Sequence, residues 1–210
     1  MKTQKLISFD LQGTVSTSDF SDEFWLDLLP NLYAEKNNLS VAAAKEKLEQ
    51  EYQHTGRYHE LFYDHRLRLD SLLPKWEFKD IVDRLKTKPA VESHMIELIK
   101  GIPSEIPLVI ISATTRDFID YELGEHHKHF IKIYSAIDDF KTPGKPPIVF
   151  EKVAEEFKVT PDNCFHIGDC LEMDFQNSKK AGWQAYHLNK KQAKEHTFTE
   201  LKNLLQNFIA

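Results

Sequence analysis

The sequence is poor in cysteine and lacks long apolar runs, and both shortages narrow the classes of protein to consider. Only 2 cysteines, Cys164 and Cys170, occur among the 210 residues, which is too few for a disulfide framework. No apolar stretch approaches the length that a membrane-spanning helix needs, and no signal peptide is recognisable. We therefore expect a protein of the reducing cytoplasm with no membrane attachment.

An excess of basic charge is also absent. The formal net charge is −6, and a chain of this sign is attracted neither to nucleic acid nor to an anionic membrane surface. We therefore predict no nucleic-acid partner. Hydrophobic residues make up 41% of the 210 residues, which is enough to bury one core domain together with a modest insert.

What the sequence does have is an acidic residue directly after a short apolar run near its start. Residues 6–9 are typical of a buried strand, and Asp10 follows them at the start of a turn that contains Gly13. Parallel sheets carry their reactive groups at the carboxyl ends of strands. The position makes Asp10 a candidate nucleophile, although an aspartate that only caps a turn would produce the same pattern.

A second apolar run ends in the same way. Residues 164–167 lead into Gly168 and Asp169, and Asp174 follows at the start of a predicted helix. If the two runs are parallel strands of one sheet, Asp10, Asp169 and Asp174 converge at one edge. Carboxylate oxygens suit Mg²⁺, which keeps water ligands that a phosphate can replace. The alternative is that Asp169 serves only as a helix cap.

A hydroxyl and a cation complete the candidate site. The apolar run 108–111 stops at Ser112, and Ala113 follows it in a turn whose amides can bind an anion. Lys145 lies in a loop stiffened by proline, just before the helical stretch 148–157. We therefore predict that Ser112, Ala113 and Lys145 bind an anionic group of the substrate.

Taken together, the four motifs resemble those of the haloacid dehalogenase (HAD) superfamily, whose members are mostly phosphatases. Residues 10–14 look like the first motif of that family, and Ser112 resembles the second. Lys145 is similar to the third motif, and the segment 168–174 is similar to the fourth. The resemblance covers nearly the whole chain and keeps the order of the family.

The resemblance implies roles for these residues. Asp10 would attack phosphorus and form an aspartyl-phosphate, which water then hydrolyses. Ser112 and Lys145 would hold the phosphate oxygens. The resemblance also implies a Mg²⁺ cofactor, with ligands from four positions: Asp10, the backbone carbonyl of Gln12, Asp169 and Asp174.

Gln12 departs from the family pattern. The phosphatases of the family usually carry a second aspartate there, which protonates the leaving group and later activates water. An amide can do neither, and losing general acid–base assistance typically lowers a rate by about 10²–10⁴. Gln12 can still form hydrogen bonds. The substitution therefore leaves the class of reaction open and does not alter the predicted fold.

The spacing of apolar residues outlines the architecture. Strand-like runs at 6–9, 108–111, 131–134, 164–167 and 185–188 alternate with helical stretches, which predicts an α/β fold with a doubly wound, Rossmann-like parallel sheet. Between the first two runs lie about seventy residues of helical periodicity. We predict a core domain of residues 1–17 and 88–210, and a small all-helical cap domain of residues 18–87.

The predicted cap contains a segment rich in aromatic and basic side chains. Tyr58, Phe62 and His65 follow the spacing of a helix face that packs inside the cap. The alternative is that His59, His65 or Arg66 contacts the substrate. A cap histidine could then replace the missing base, because its ordinary pKa is near neutrality.

The sequence therefore predicts a Mg²⁺-dependent hydrolase that removes phosphate from a small phosphorylated metabolite. Three alternatives remain open. One is a dehalogenase, in which Asp10 attacks carbon without a metal. Another is a phosphonate hydrolase, which in the family uses a cap lysine, for which Lys36, Lys45 and Lys47 are available. The third is a phosphate-binding protein that lost efficient turnover because of Gln12.

Overall fold

Five parallel strands form a single sheet at the centre of the molecule. The computed structural model describes residues 4–55, 59–73, 75–189 and 194–210, with the side chains of 194–197 left out. The strands are β1 (Leu6–Phe9), β2 (Leu108–Ser112), β3 (Lys132–Ser135), β4 (Cys164–Gly168) and β5 (Gln184–His187). Their order is β3-β2-β1-β4-β5. The predicted fold class is confirmed, and each predicted strand matches an observed one to within a residue at either end.

Helices connect the strands and flank the sheet. They are α1 (Asp19–Glu23), α2 (Leu29–Asn37), α3 (Val41–Thr55), α4 (His65–Leu72), α5 (Phe78–Val82), α6 (Ser93–Lys100), α7 (Arg116–Leu123), α8 (Ala136–Phe140), α9 (Pro147–Phe157), α10 (Asn177–Lys180) and α11 (Lys194–Ile209). Short 3₁₀ turns lie at Glu60–Phe62, Gly124–His129 and Pro161–Asn163, and π-helical turns at Phe24–Leu28 and Leu171–Gln176. Within the described residues, no helix is both long enough and apolar enough to cross a membrane.

The central strand β1 is buried on both faces, which explains its continuous apolar sequence. Leu6 joins the core under α9, where it packs with Val153. Ile7 and Phe9 point to the opposite face and join the core that α6 and α11 cover. Both neighbours of β1 are parallel to it. The side chain that follows β1 therefore emerges between the ends of β2 and β4.

Four helices between β1 and α6, namely α1, α2, α4 and α5, share an apolar cluster apart from the core beside the sheet. Phe20, Phe24, Leu69 and Ile81 are buried there, and Phe118 of α7 packs into the same cluster. The helices are therefore anchored on the rest of the protein through α7. We propose that residues 18–87 are a cap domain on a core of residues 1–17 and 88–210.

His65 lies in this aromatic cluster and contributes to packing. The side chain is 0% exposed, and its ring makes an edge contact with Phe118. Nδ1 lies 2.9 Å from the hydroxyl of Thr115. Burial lowers the pKa of His65 to about 4. Tyr58, which was predicted to share this packing, lies outside the described residues.

We expect His65 to make stability depend on pH. The unfolded chain takes up this proton near pH 6.5 and the folded chain near pH 4, so the folded state binds fewer protons in between and becomes less stable as the pH falls through that range. Between pH 7.5 and pH 5, the wild type should lose about 2 kcal/mol more than a His65→Gln variant. Urea unfolding at both pH values measures the difference. His54→Gln, at an exposed position, controls for the substitution, and equal pH dependence of the wild type and His65→Gln would contradict the expectation.

Candidate active site

A small pocket opens where the carboxyl ends of the central strands meet the cap helices. Its volume is about 160 Å³. The lining residues come from both parts of the chain: Asp10, Gln12, Ser112, Ala113, Thr114, Lys145, Asp169, Cys170 and Met173 from the sheet side, and Trp25, Phe62 and Tyr63 from the helical insert. Six of the predicted site residues therefore line one pocket, and the seventh, Asp174, does not line it but contacts Lys145.

Asp10 is fixed by the end of β1 and by the turn after it. Its backbone N–H donates to the carbonyl of Ile167, 2.8 Å away, so the residue still belongs to the edge of the sheet. The chain then reverses at Gly13, whose φ of +79° favours glycine. After this turn, the side chain of Asp10 is 9% exposed and lines the pocket. The geometry is suited to a nucleophile.

Lys145 forms the electrostatic centre of the site. Its Nζ lies 2.6 Å from Asp10 Oδ1 and also contacts Asp174 Oδ1. The side chain is only 1% exposed. Proline fixes the backbone that follows, at the first turn of α9, and Asn177 Nδ2 donates to the carbonyl of Lys145 over 3.0 Å. The ammonium is therefore held in place by a rigid loop.

Asp174 is completely buried, and both of its carboxylate oxygens contact other protein groups. The backbone N–H of Cys170 donates to Oδ2 over 2.8 Å, and His166 Nε2 lies 3.2 Å from Oδ1. His166 is oriented in turn by Ser8, whose Oγ is 2.6 Å from Nδ1. A neutral histidine with its hydrogen on Nε2 satisfies both neighbours. Gly168 makes room, because a Cβ there would lie 2.2 Å from Asp174 Cγ.

The ionisation of these groups follows from burial and from their mutual charges. Burial and the negative charge of Asp174 raise the pKa of Asp10 to about 8, although Lys145 opposes the shift. Burial would also raise the pKa of Asp174, but the nearby Lys145 and His166 lower it below its usual range. The pKa of Lys145 is raised, because the two carboxylates outweigh its burial. Asp174 and Lys145 therefore form an ion pair. The charge of Lys145 alone is not enough to keep the pKa of the buried Asp10 in its ordinary range.

The acidic residues fit a divalent cation. Each of Asp10, Asp169 and Asp174 has one carboxylate oxygen that lies within 4.8 Å of an oxygen of the other two. An oxygen-only donor set is what Mg²⁺ prefers. Both oxygens of Asp174 and one oxygen of Asp10 also contact protein groups, so a cation would share these carboxylates with the groups already there.

The end of β2 supplies the polar side of the pocket. Ser112 is 1% exposed, and its Oγ accepts a hydrogen bond from the N–H of Thr114 over 3.4 Å. Ser112, Ala113 and Thr114 all line the pocket. The hydroxyl and the turn for which anion binding is predicted therefore line the same pocket as Asp10.

Gln12 has a partner that the sequence analysis missed. Its Nε2 donates to Glu122 Oε1 over 2.5 Å, and Ser16 Oγ donates to Glu122 Oε2 over 2.8 Å. Burial raises the pKa of Glu122 to about 7, although these two hydrogen bonds lower it. One signal was available in the sequence. Glu122 follows Phe118 and Ile119 at helical spacing, which places an acid on the apolar face of α7.

The cap residues at the pocket differ from those considered in the sequence analysis. Phe62 and Tyr63 line the pocket, and the Tyr63 hydroxyl contacts Met173 Sδ at 3.6 Å. His59 and Arg66 do not line the pocket, and Arg66 instead pairs with Asp64 at 2.7 Å. His65 is buried in the aromatic cluster. The structure therefore favours a packing role for His65, and roles away from the pocket for His59 and Arg66.

Comparison with known proteins agrees with this geometry. Residues 4–182 match the sequence model of the haloacid dehalogenase-like hydrolases. A glyceraldehyde 3-phosphate phosphatase from Pyrococcus furiosus is 25% identical over 232 aligned positions, which cover 98% of this chain and 93% of the relative. The crystal structure of a HAD phosphatase from Thermococcus onnurineus superposes with a TM-score of 0.78 at 20% identity, covering 96% of this chain and 98% of that one. The crystal structure of a haloacid dehalogenase-like hydrolase from Xanthomonas campestris superposes with a TM-score of 0.65 at 13% identity. The superposition covers 98% of this chain and 92% of that one.

The chain belongs to the haloacid dehalogenase-like hydrolase family, because the family match spans most of its length. The family predicted from the four motifs is confirmed, and so is the prediction of an enzyme that catalyses hydrolysis. Members of this family generally use a divalent metal, which agrees with the cluster of three carboxylates.

Removing Lys145 is expected to destabilise the protein strongly. A Lys145→Met variant keeps the length of the side chain but leaves Asp10 and Asp174 buried without their cation, and breaking such a pair typically lowers the free energy of unfolding by about 3–5 kcal/mol. Urea denaturation in the presence of a chelator measures this loss. Lys132→Met removes the exposed pair with Glu156 and should change stability by less than about 1 kcal/mol. Equal effects of the two variants would contradict the role of Lys145.

Proposed function

We propose that the protein is a phosphatase that transfers the phosphoryl group of a small phosphomonoester to Asp10 and then to water. The observation that carries the proposal is the position of the Asp10 carboxyl, which faces a small pocket and contacts the Lys145 ammonium at 2.6 Å. Ser112 and the turn after it line the same pocket. A nucleophile and groups that bind an anion therefore surround one small volume.

In the first step, an Asp10 oxygen bonds to phosphorus while the bond from phosphorus to the ester oxygen breaks. Lys145 and Ser112 hold the phosphoryl oxygens and keep them in line with the nucleophile. The electron pair leaves with the ester oxygen, and Gln12 has no proton to give it. We therefore expect alcohols that are better leaving groups to react faster.

A divalent cation fits this chemistry. Asp10, Asp169 and Asp174 would hold it, and the backbone carbonyl of Gln12 is the further ligand that the family pattern implies. When bound, Mg²⁺ reduces the repulsion between an anionic carboxylate and an anionic phosphate. With all three carboxylates ionised, the ammonium of Lys145 leaves two negative charges, which a divalent cation would balance.

The size of the pocket favours a small substrate. A volume of about 160 Å³ holds a phosphate and a short carbon skeleton. Trp25 and Phe62 from the helical insert would lie against the part of the substrate that leaves. The relative from Pyrococcus furiosus is named for its action on glyceraldehyde 3-phosphate, which is a substrate of this size. We propose small phosphorylated metabolites as the substrate class, and the cytoplasm as the site of action.

The structure gives less support to the alternative chemistries. Dehalogenation needs no metal, so it leaves the cluster of Asp10, Asp169 and Asp174 without a purpose. A phosphonate hydrolase that forms an imine needs a cap lysine in the pocket. Among the described residues that line it, Lys145 from the sheet side is the only lysine, and Lys45 instead pairs with Asp27 at 3.0 Å.

The direct test is phosphate release from p-nitrophenyl phosphate. We expect turnover with Mg²⁺, none with a chelator, and a loss of at least about 10³-fold in Asp10→Asn, because an amide is not a nucleophile here. Asp120→Asn makes the same exchange on the exposed side of α7 and should behave as the wild type.

Activity that survives Asp10→Asn would contradict the assignment of Asp10 as the nucleophile. Inactivity of the wild type at high enzyme concentration would favour a binding protein, and release of halide from a 2-haloacid would favour a dehalogenase.

Metal binding can be tested without turnover. Calorimetric titration of the wild type with Mg²⁺ should show binding, and Asp169→Asn should weaken it because a direct ligand loses its charge. Asp162→Asn lies near the opposite end of β4 and serves as the control, with unchanged affinity expected. Unaltered Mg²⁺ binding in Asp169→Asn would remove this residue from the metal site.

A further inference from the structure

A buried carboxylate lies directly behind the pocket, and the proposed chemistry does not use it. Glu122 of α7 is 4% exposed. Both of its oxygens accept hydrogen bonds, one from Gln12 Nε2 at 2.5 Å and one from Ser16 Oγ at 2.8 Å. Within the described residues, the structure gives Glu122 no ion pair with a lysine, arginine or histidine.

Packing alone does not account for a carboxylate at this position. Burying an acid without a cation is unfavourable by several kcal/mol, and two hydrogen bonds offset only part of that. Phe118 and Ile119 share the buried face of α7 with Glu122, so an apolar side chain would fit the surroundings. The hydrogen bonds therefore indicate that Glu122 acts on the side chains that donate to it. One of these side chains, Gln12, lines the pocket.

The chemistry of the two side chains shows what the contact does. An amide can turn over, which exchanges its oxygen and nitrogen at almost no change in shape. Ser16 Oγ occupies one oxygen of Glu122, and the other oxygen accepts from Gln12 Nε2, so the contact selects the orientation in which the Gln12 nitrogen faces Glu122. Within the described residues, no protein group donates to Gln12 Oε1. The contact therefore leaves the amide oxygen of Gln12, a residue that lines the pocket together with Asp10, as an available acceptor.

We propose that Glu122 is a positioning residue that fixes the Gln12 amide, so that its oxygen orients the water that hydrolyses the phosphorylated Asp10. This inference rests on the proposed phosphatase function. In the step, the water oxygen bonds to phosphorus while the bond from phosphorus to the Asp10 oxygen breaks and its electron pair returns to the carboxylate. The proton of the water passes to a phosphoryl oxygen, which gives inorganic phosphate. Gln12 takes no proton and acts only through its hydrogen bond, as glutamines do in other phosphoryl-transfer sites.

The test separates the two half-reactions of p-nitrophenyl phosphate. In Glu122→Gln, either amide can donate to the other, so Gln12 loses its fixed orientation. Release of the first equivalent of p-nitrophenol should remain at the rate of the wild type, because Asp10 is unchanged. The following phosphate release should slow by about 10- to 100-fold, the usual effect of misplacing a reacting group. Rapid mixing should therefore show a burst of p-nitrophenol.

Asp120→Asn supplies the matched control, because it exchanges carboxylate for amide on the same helix at an exposed position. It should show the kinetics of the wild type. An unchanged steady-state rate in Glu122→Gln would overturn the inference, and so would an equal slowing of both half-reactions, which indicates a general structural effect. These outcomes differ from failure of the proposed function, in which the wild type releases no phosphate or Asp10→Asn remains active.

A second set of variants covers the possibility that Glu122→Gln does not fold. Gln12→Glu alone places two acids in contact and should lower the unfolding midpoint. Adding Glu122→Gln to this variant restores one amide and one acid at the two positions, with their places exchanged. We expect the double variant to have a higher unfolding midpoint than Gln12→Glu. A double variant no more stable than the single one would overturn the inference, because the contact between the two positions would then contribute nothing.

Discussion

The contact of Lys145 with Asp10 and Asp174 is the interaction on which the rest of the site depends. A nearly completely buried ammonium and the equally buried Asp174 stabilise each other, and each would be strongly unfavourable alone. The loop before α9, the turn after β4 and the strand end at Asp10 all converge on this one cation. Its single charge does not balance three carboxylates, and this deficit gives a physical reason for the site to attract a divalent ion and then a phosphate.

The helical insert contributes shape more than charge. It reaches the pocket through Trp25, Phe62 and Tyr63, whereas the ionisable groups come from the strand ends and the loops that follow them. Trp25 lies in the π-helical turn at Phe24–Leu28, and Met173, which also lines the pocket, lies in the second such turn, at Leu171–Gln176. Irregular helical turns redirect side chains, and they occur often at functional sites. The reacting group and the leaving group would therefore be contacted by different parts of the chain.

Gln12 and Glu122 are best understood as one unit. At the position of the usual acid, the sequence has an amide, and behind the amide the fold places a carboxylate at 2.5 Å. Exchanging the acid for an amide removes a proton donor and acceptor from the pocket, but the pair keeps a fixed hydrogen-bonding group beside Asp10. This arrangement accounts for a family member that departs from the common motif while keeping the remaining residues of the site.

The sequence by itself determined the sheet, the family and most of the pocket, because strand ends in a parallel sheet meet at one edge and short motifs mark those ends. Asp10, Ser112, Lys145 and Asp169 were found in this way. Only the tertiary structure decided that Asp174 is buried against Lys145 and His166 and that Glu122 contacts Gln12. These contacts join residues far apart in the chain, such as Gln12 on a turn and Glu122 on α7. Their distance depends on how a helix packs against the sheet, and no local pattern in the sequence encodes that packing.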